Sequence, residues 1–291
     1  MPARVSISIP KEAGWMGVMP AYSEELKALS TKIVTVFGQN ASRNLPTIMA
    51  TVFLCDPTTG ELVAVMEGGY ITALRTGGLG GLAARCLSRK DAHAVGIFGA
   101  GVQARTQLMA LTEIRNITSV KIYDISKERA AAFVNEMRDK LEIEGEICSS
   151  AAEAVKDSDI IVTASTSREP VFDGDLVRPG THINAFGSFK PDERELDSKT
   201  VMKSKVFVDL REAAFAEAGD VIIPIQEGKM KREHVLGEIG EVLIGSKPGR
   251  TSRMDITLFK SVGVGIQDCA AASLAYAKAR EMGLGTEVSL V

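Results

Sequence analysis

Apolar and polar residues alternate over Arg4-Val5-Ser6-Ile7-Ser8-Ile9, the two-residue period of a half-buried strand. Lys32 to Phe37 and Ile48 to Cys55 read as further strands. Asp56-Pro57-Thr58-Thr59-Gly60 then supplies the turn of a hairpin into Glu61–Glu67. The chain up to Glu67 therefore predicts β-rich antiparallel structure, with a long loop from Ile9 to Ser30. Thr72 to Arg89 is different: its Leu, Ala and Arg content favours helix, and Gly77, Gly78, Gly80 and Gly81 point to close backbone packing. After it, strand and helix alternate. Strands are expected at Ala94–Phe98, Val120–Asp124, Ile147, Ile160–Ala164, Thr181–Phe186 and Lys205–Asp209. Helices are expected at Ala104–Glu113, Lys127–Lys140 and Ala151–Lys156. That rhythm predicts a parallel sheet wrapped by helices. An alanine-rich helix, Ala270 to Met282, closes the chain, with Gly283 where a helix stop belongs.

Composition narrows the function classes. A length of 291 residues suits one large domain or two ordinary ones. With 45% hydrophobic and 24% charged residues the chain is neither disordered nor fibrous. No apolar run approaches the roughly 20 residues of a membrane span, so no membrane partner is expected. Acidic residues outnumber basic ones, 37 to 34, which argues against a nucleic-acid partner. Cys55, Cys86, Cys148 and Cys269 are scattered, with no secretory leader, and read as buried small hydrophobes in a reducing cytoplasm. His93, His182 and His234 lack metal spacing, so no metal is expected. Lys229-Met230-Lys231-Arg232 reads as a solvated face.

The strongest local motif is Gly99-Ala100-Gly101-Val102-Gln103-Ala104, directly after an apolar strand and opening a helix. In that context G-x-G-x-x-A reads as a dinucleotide-binding turn: Gly99 makes the bend, Gly101 admits a pyrophosphate, and Ala104 keeps helix and strand close. The phosphates would lie at the positive helix end. Asp124 ends the next strand, near where the acidic ribose ligand is expected, and favours NAD over NADP. Lys127 and Arg129 beside it soften that preference, leaving NADP possible.

Three cations precede this motif: Arg4 on the first strand, Lys32 opening the second, and Arg75 within Ile71-Thr72-Ala73-Leu74-Arg75-Thr76-Gly77-Gly78. Arg75 sits among residues expected to be buried, and a buried guanidinium requires an anionic partner. If the three converge, they would clamp a small carboxylate.

These segments, taken with Leu45-Pro46-Thr47, Thr181-His182-Ile183-Asn184-Ala185 with Gly187, Arg194-Glu195-Leu196-Asp197, and Phe259-Lys260-Ser261-Val262-Gly263 followed by Asp268, resemble the ornithine cyclodeaminase/mu-crystallin family in order along nearly the whole chain. Family members carry a longer stretch before the first strand, which implies a truncated chain or a late start. The resemblance implies an α/β fold: a Rossmann doubly wound parallel sheet (residues 89–264) inserted into a β-rich α+β substrate and dimerisation domain (residues 1–88 and 265–291). It implies a homodimer acting on a small amino or imino acid. Arg4, Lys32 and Arg75 would hold the substrate carboxylate, with Lys32 the catalytic proton donor or acceptor. Thr47 and Arg75 would approach the cofactor from the first domain. Gly99, Gly101, Val102, Gln103, Asp124, Thr163, Ile183, Asn184, Ala185, Phe186 and Ser261 would line it. Met19 would sit near the substrate or in the core.

One departure bears on the activity. Ornithine cyclodeaminases place an aspartate two residues after the glycine equivalent to Gly187, and here that residue is Phe189. A phenyl ring cannot pair with an ammonium. The expectation is therefore an NAD(P)-dependent oxidoreductase of the alanine dehydrogenase or pyrroline-2-carboxylate (ketimine) reductase type. The alternatives are the lyase itself, converting ornithine to proline and ammonia, and a non-catalytic mu-crystallin-like binding protein.

Overall fold

The computed structural model describes residues 1–289, the side chain of Ala41 apart. Two compact units divide the chain: Met1–Arg75 with Gly263–Val291, and Thr76–Val262. The expected boundary at residues 88–89 is thus replaced by one inside a continuous helix, after Arg75. The later boundary lies just before Gly263 rather than after residue 264.

In the first unit β1 (Val5–Ile9), β2 (Gly14–Ser23), β3 (Ala28–Phe37), β4 (Ile48–Cys55) and β5 (Leu62–Glu67) form one antiparallel sheet in sequence order. The segment read as a loop from Ile9 to Ser30 contains β2, the longest strand together with β3. The two-residue period is hidden, because a glycine, Gly17, shares the buried face with Met19 and Ala21, while Gly14 is buried on the opposite face. Rings cover both glycines: a Cβ at Gly17 would collide with Trp15, and one at Gly14 with Phe37. Pro20 is tolerated inside β2 because β1 pairs only as far as Val18, leaving Pro20 a sheet partner on the β3 side alone. The C-terminal helix, Gly265–Glu281, packs on β2 and β3, where Cys269 meets Ala21 and Ala28. It starts five residues earlier than its alanine content suggests.

Helix α1 (Gly68–Leu87) begins in the first unit and ends in the second. Gly77, Gly80 and Gly81 serve close packing, as expected, whereas Gly78 faces open space. A Cβ at Gly77 would strike the backbone of Thr106, and one at Gly80 the side chain of Gln107. Both lie on α2 (Val102–Ile114), which follows β6 (Ala94–Phe98).

The rest of the second unit comprises β7 (Ser119–Tyr123), α3 (Lys127–Leu141), β8 (Gly145–Ile147), α4 (Ala151–Val155), β9 (Ile160–Thr163), β10 (His182–Ala185), α5 (Ser198–Lys203), β11 (Ser204–Val208), α6 (Arg211–Glu217), α7 (Gly219–Gln226), β12 (Val235–Glu238), α8 (Ile239–Leu243) and β13 (Ile256–Lys260). The strands pair in parallel, in the order β12-β11-β13-β10-β9-β6-β7-β8. The sequence reading lacks β12 and β13, which are short and follow irregular segments, although β13 lies between β10 and β11. Ile97, Ile122, Ile160, Val162 and Ile183 are fully buried, as strands covered on both faces require. The chain runs outward from β6 to β8 and returns to β9 on the other side of β6. The strand order therefore reverses between β6 and β9, and a crevice opens at such a point beyond the carboxyl ends of the strands. Met230 is buried within the basic cluster read as a solvated face, whereas Lys229, Lys231 and Arg232 are exposed. Cys148 and Cys269 are buried, but Cys55 and Cys86 only partly. Among the described residues no helix is long and apolar enough to cross a membrane.

Candidate active site

In the first unit, alternation along β3 turns Ala28, Ser30, Lys32 and Val34 to the buried face. Lys32 is 2% exposed, and its Nζ lies 2.8 Å from Asp268 Oδ2 and 3.3 Å from the Thr72 hydroxyl. Asp268 sits in the first turn of the C-terminal helix. Its other oxygen, Oδ1, accepts from Arg75 Nε at 3.0 Å, and Arg75 Nη1 donates to Gln267 Oε1 at 2.6 Å. Arg4, just ahead of β1, donates to the carbonyl of Gly263 at 2.8 Å and lies over the Trp15 ring. Gly263 has φ +78°, and a Cβ there would stand 2.8 Å from the Arg75 guanidinium. Three cations and one carboxylate thus share one small volume.

Burial, with the Arg75 charge next and Arg4 adding least, lowers the Lys32 pKa from 10.5 to about 8, while Asp268 holds it up. The contact of Asp268 Oδ2 with the Lys32 ammonium, at 2.8 Å, is what holds the lysine's pKa up. The anion that a buried Arg75 demands is Asp268 itself, which the sequence reading quoted as part of a motif without assigning it a role. Its signal was an aspartate within an otherwise apolar and small stretch. Gln267 and Thr72 gave no such signal. Met19 is buried and pairs in register with Lys32. Thr47 is exposed just before β4, and its carbonyl accepts from Phe37 N–H.

In the second unit, Gly99 turns at φ +92°, where a Cβ would crowd the Ala164 carbonyl. Gly101 caps α2 without any side-chain hydrogen bond, and nothing lies within 4 Å of where its Cβ would be. The first-turn N–H groups of α2 are therefore left to a ligand. Val102 is 61% exposed there, and Gln103 Oε1 is a buried acceptor with no partner among the described residues. Asp124 accepts from Ala100 N–H and Ser126 N–H, each at 2.8 Å, and from Arg129 Nη2 at 2.9 Å. Burial pushes its carboxyl up, but these donors outweigh burial and hold its pKa below the usual value. An open glycine turn, a bare helix end, an orphaned acceptor and an ionised carboxylate fit a dinucleotide.

Other expected cofactor residues are placed differently. Ile183 and Asn184 are fully buried within β10, and Asn184 donates to the Gly80 carbonyl and to Gln107 Oε1. Ala185 is buried as well, while the partly buried Phe186 ring packs edge-on against Phe259. A strand covered on both faces presents a cofactor only its carboxyl end. The Thr163 hydroxyl donates to Glu195 at 2.8 Å, and that of Ser261 to Asp209 at 2.7 Å. Phe189 packs against the apolar core that contains Phe98 and Ile183. A cavity of about 500 Å³ opens at the amino ends of β6 and β9, lined by Arg89, His93, Asp157, Asp159 and Arg178. Its arginines are already paired, Arg89 with Asp159 and Arg178 with Asp157.

A parallel sheet reversing beside β6, a glycine turn opening α2 and an acidic residue closing β7 define the second unit as a dinucleotide-binding α/β unit. The chain as a whole belongs to the ornithine cyclodeaminase/mu-crystallin family, whose model matches residues 1–283. It is 38% identical to a Delta(1)-pyrroline-2-carboxylate reductase of Bacillus cereus, across 99% of this chain and 88% of that protein. The structure of Thermococcus litoralis Delta(1)-pyrroline-2-carboxylate reductase in complex with NADH and L-proline superimposes with TM-score 0.97 at 48% identity, covering 99% of this chain and 89% of that one. An archaeal alanine dehydrogenase dimer with bound NAD gives TM-score 0.94 at 37% identity, covering 100% and 88%.

Proposed function

We propose that this protein is an NAD(H)-dependent reductase of a small cyclic imino acid, of the pyrroline-2-carboxylate class. The observation that carries the reading is the buried cluster of Lys32, Arg75, Arg4 and Asp268. With Lys32 protonated, Lys32 and Arg75 set two positive charges against the single carboxylate of Asp268, a balance that suits one more anion of the kind a substrate carboxylate supplies. Arg75 Nε and Nη1 are occupied, which leaves Nη2 to meet that carboxylate and fix its orientation.

A nicotinamide bound to the second unit supplies the hydride. Reduction of a C=N bond also consumes a proton at nitrogen. Lys32, with a pKa of about 8, carries that proton at neutral pH and releases it far more readily than an ordinary lysine. Asp268 Oδ2 is placed to accept from the resulting N–H. By the family resemblance Phe189 takes the position at which cyclodeaminases carry an aspartate, which supports reduction over loss of ammonia. The close relation to a structure holding NADH and L-proline supports a cyclic substrate, and the alanine dehydrogenase likeness supports pyruvate with ammonia as a poorer one. The dimeric relative supports a homodimer, and the absence of disulfide pairing suits a cytoplasmic setting.

Loss of NADH absorbance with pyrroline-2-carboxylate, with pyruvate plus ammonia, and with ornithine tests the reading. Rapid oxidation with the cyclic imine is expected. Turnover of ornithine with no net change in NADH, and none with the imine, would overturn it.

A further inference from the structure

The second unit buries a charged triad that the chemistry above does not use. Lys260, Asp220 and Glu195 are all at 0% exposure. Lys260 Nζ lies 2.7 Å from Asp220 Oδ2 and donates to the Ser188 carbonyl at 2.6 Å. Asp220 Oδ1 accepts from the N–H groups of Glu195 and Leu196, both at 2.8 Å. The backbone at residue 195 is thereby pinned. The Glu195 carboxylate reaches four donors in turn: Thr163 Oγ1 at 2.8 Å and Gly187 N–H at 2.7 Å on one oxygen, Ser165 N–H at 2.7 Å and Ser165 Oγ at 2.6 Å on the other. Residue 187 must be glycine, because any Cβ there would run into Glu195 Oε1.

Two carboxylates and one ammonium leave an excess negative charge in the interior, a costly arrangement that an apolar cluster would avoid. What it accomplishes is local. Thr163 and Ser165 belong to the segment leaving β9, and Gly187 to the segment leaving β10. Glu195 ties the two together on the β9 side of the point where strand order reverses. The adenosine half of a dinucleotide belongs to the β6–β7 side, with Asp124, and its other half belongs across the crevice.

Resting on the cofactor reading above, we propose that Glu195 is a positioning residue for the nicotinamide half of the dinucleotide, acting through Thr163, Ser165 and Gly187. In Glu195→Gln one oxygen becomes an NH2 group. Whichever way the amide turns, it sets a donor against a backbone N–H, of Ser165 or of Gly187, and one of the two segments is released.

Calorimetric titration with NADH and with ADP-ribose, which lacks the nicotinamide, tests this. Glu195→Gln is expected to raise the NADH Kd about tenfold, the cost of one charge-assisted contact, and to leave ADP-ribose binding unchanged. Thr163→Val removes one donor with little change in volume and should give the same selective loss to a smaller degree, so it carries the test if Glu195→Gln fails to fold. Met137→Ala, a core change on α3, should lower the melting temperature without separating the two ligands. Equal weakening of NADH and ADP-ribose, or no weakening of either, would overturn the proposal. A wild-type chain that binds neither ligand would instead sink the cofactor reading on which it rests.

Discussion

Each unit buries a lysine–aspartate pair of almost the same geometry: Lys32–Asp268 at 2.8 Å in the first, Lys260–Asp220 at 2.7 Å in the second. The surroundings differ in sign. Around Lys32 the surplus charge is positive, from Arg75, whose charge lowers the lysine's pKa while Asp268 raises it. Around Lys260 the surplus is negative, from Glu195, and its carboxylate is covered by four donors from the fold itself. A buried ion pair alone says little about function, since its Coulombic gain roughly offsets its desolvation. The informative quantity is the charge left over and whether the protein has already satisfied it. By that measure the first pair suits the anion site proposed above, and the second the proposed brace.

The sharpest way to break the comparison is to remove each ammonium. Lys32→Met should cut kcat for imine reduction by about 10²–10⁴-fold, the range for losing a positioned proton donor. Stability should change little, because Asp268 keeps Arg75 as partner. Lys260→Met should act first on stability, leaving Asp220 and Glu195 buried without a counter-charge at a cost of about 3–5 kcal/mol, with kcat falling far less than in Lys32→Met. Melting temperature and kcat measured on both variants check this. Two variants that lost stability and activity alike would abolish the distinction.

A second test uses pH. Asp268 is the group that raises the Lys32 pKa against burial and Arg75. Asp268→Asn should therefore lower it below about 8, shifting the alkaline fall of kcat/KM for the imine toward neutrality by about one unit or more. The sign for stability follows from the same depression. An unfolded chain holds the Lys32 proton up to about 10.5, the folded one only to about 8. The group's unfavourable contribution is complete below pH 8 and is relieved as pH rises from there toward 10.5. An unmoved alkaline limb would mean that another group governs it.

The glycine turn was legible because its constraints are local: a tight bend, an open helix end and an acidic residue one strand later leave a fixed spacing in the chain. The helix–strand rhythm of the second unit was legible for the same reason. Strand β2 was not, because glycines do the packing that apolar alternation usually records. Asp268 was hidden differently. It lies 236 positions beyond Lys32 in the numbering, and only the packing of the C-terminal helix on β3 brings it there. Arg75 announced that an acid was needed without saying which. Glu195 appeared within a family motif, but its four donors come from two other segments that sequence cannot place beside it. Ile183 and Asn184 were assigned to the cofactor by position in a motif, and sequence did not show that both are fully buried within β10.

The smallest effect belongs to a third pair, where solvent replaces burial as the controlling factor. Arg129 meets Asp124 at 2.9 Å, yet its side chain is 60% exposed. Two backbone N–H groups already hold Asp124, so Arg129 is dispensable for its placement. What the guanidinium adds is a positive charge next to Asp124, the carboxylate expected to meet the ribose, where it would offset the repulsion of a 2′-phosphate. Screening limits that benefit to about 0.2–1 kcal/mol. Arg129→Ala should accordingly lower kcat/KM for NADPH by about 1.4- to fivefold and leave that for NADH as it was. The ratio of the two, taken at low and at high salt, is the measurement. Because the interaction is exposed, the difference between variant and parent should shrink as salt rises, whereas the effects at Lys32 and Lys260 should not. A ratio unmoved at low salt would place the 2′ position beyond the reach of Arg129 and leave Asp124 as the sole discriminator.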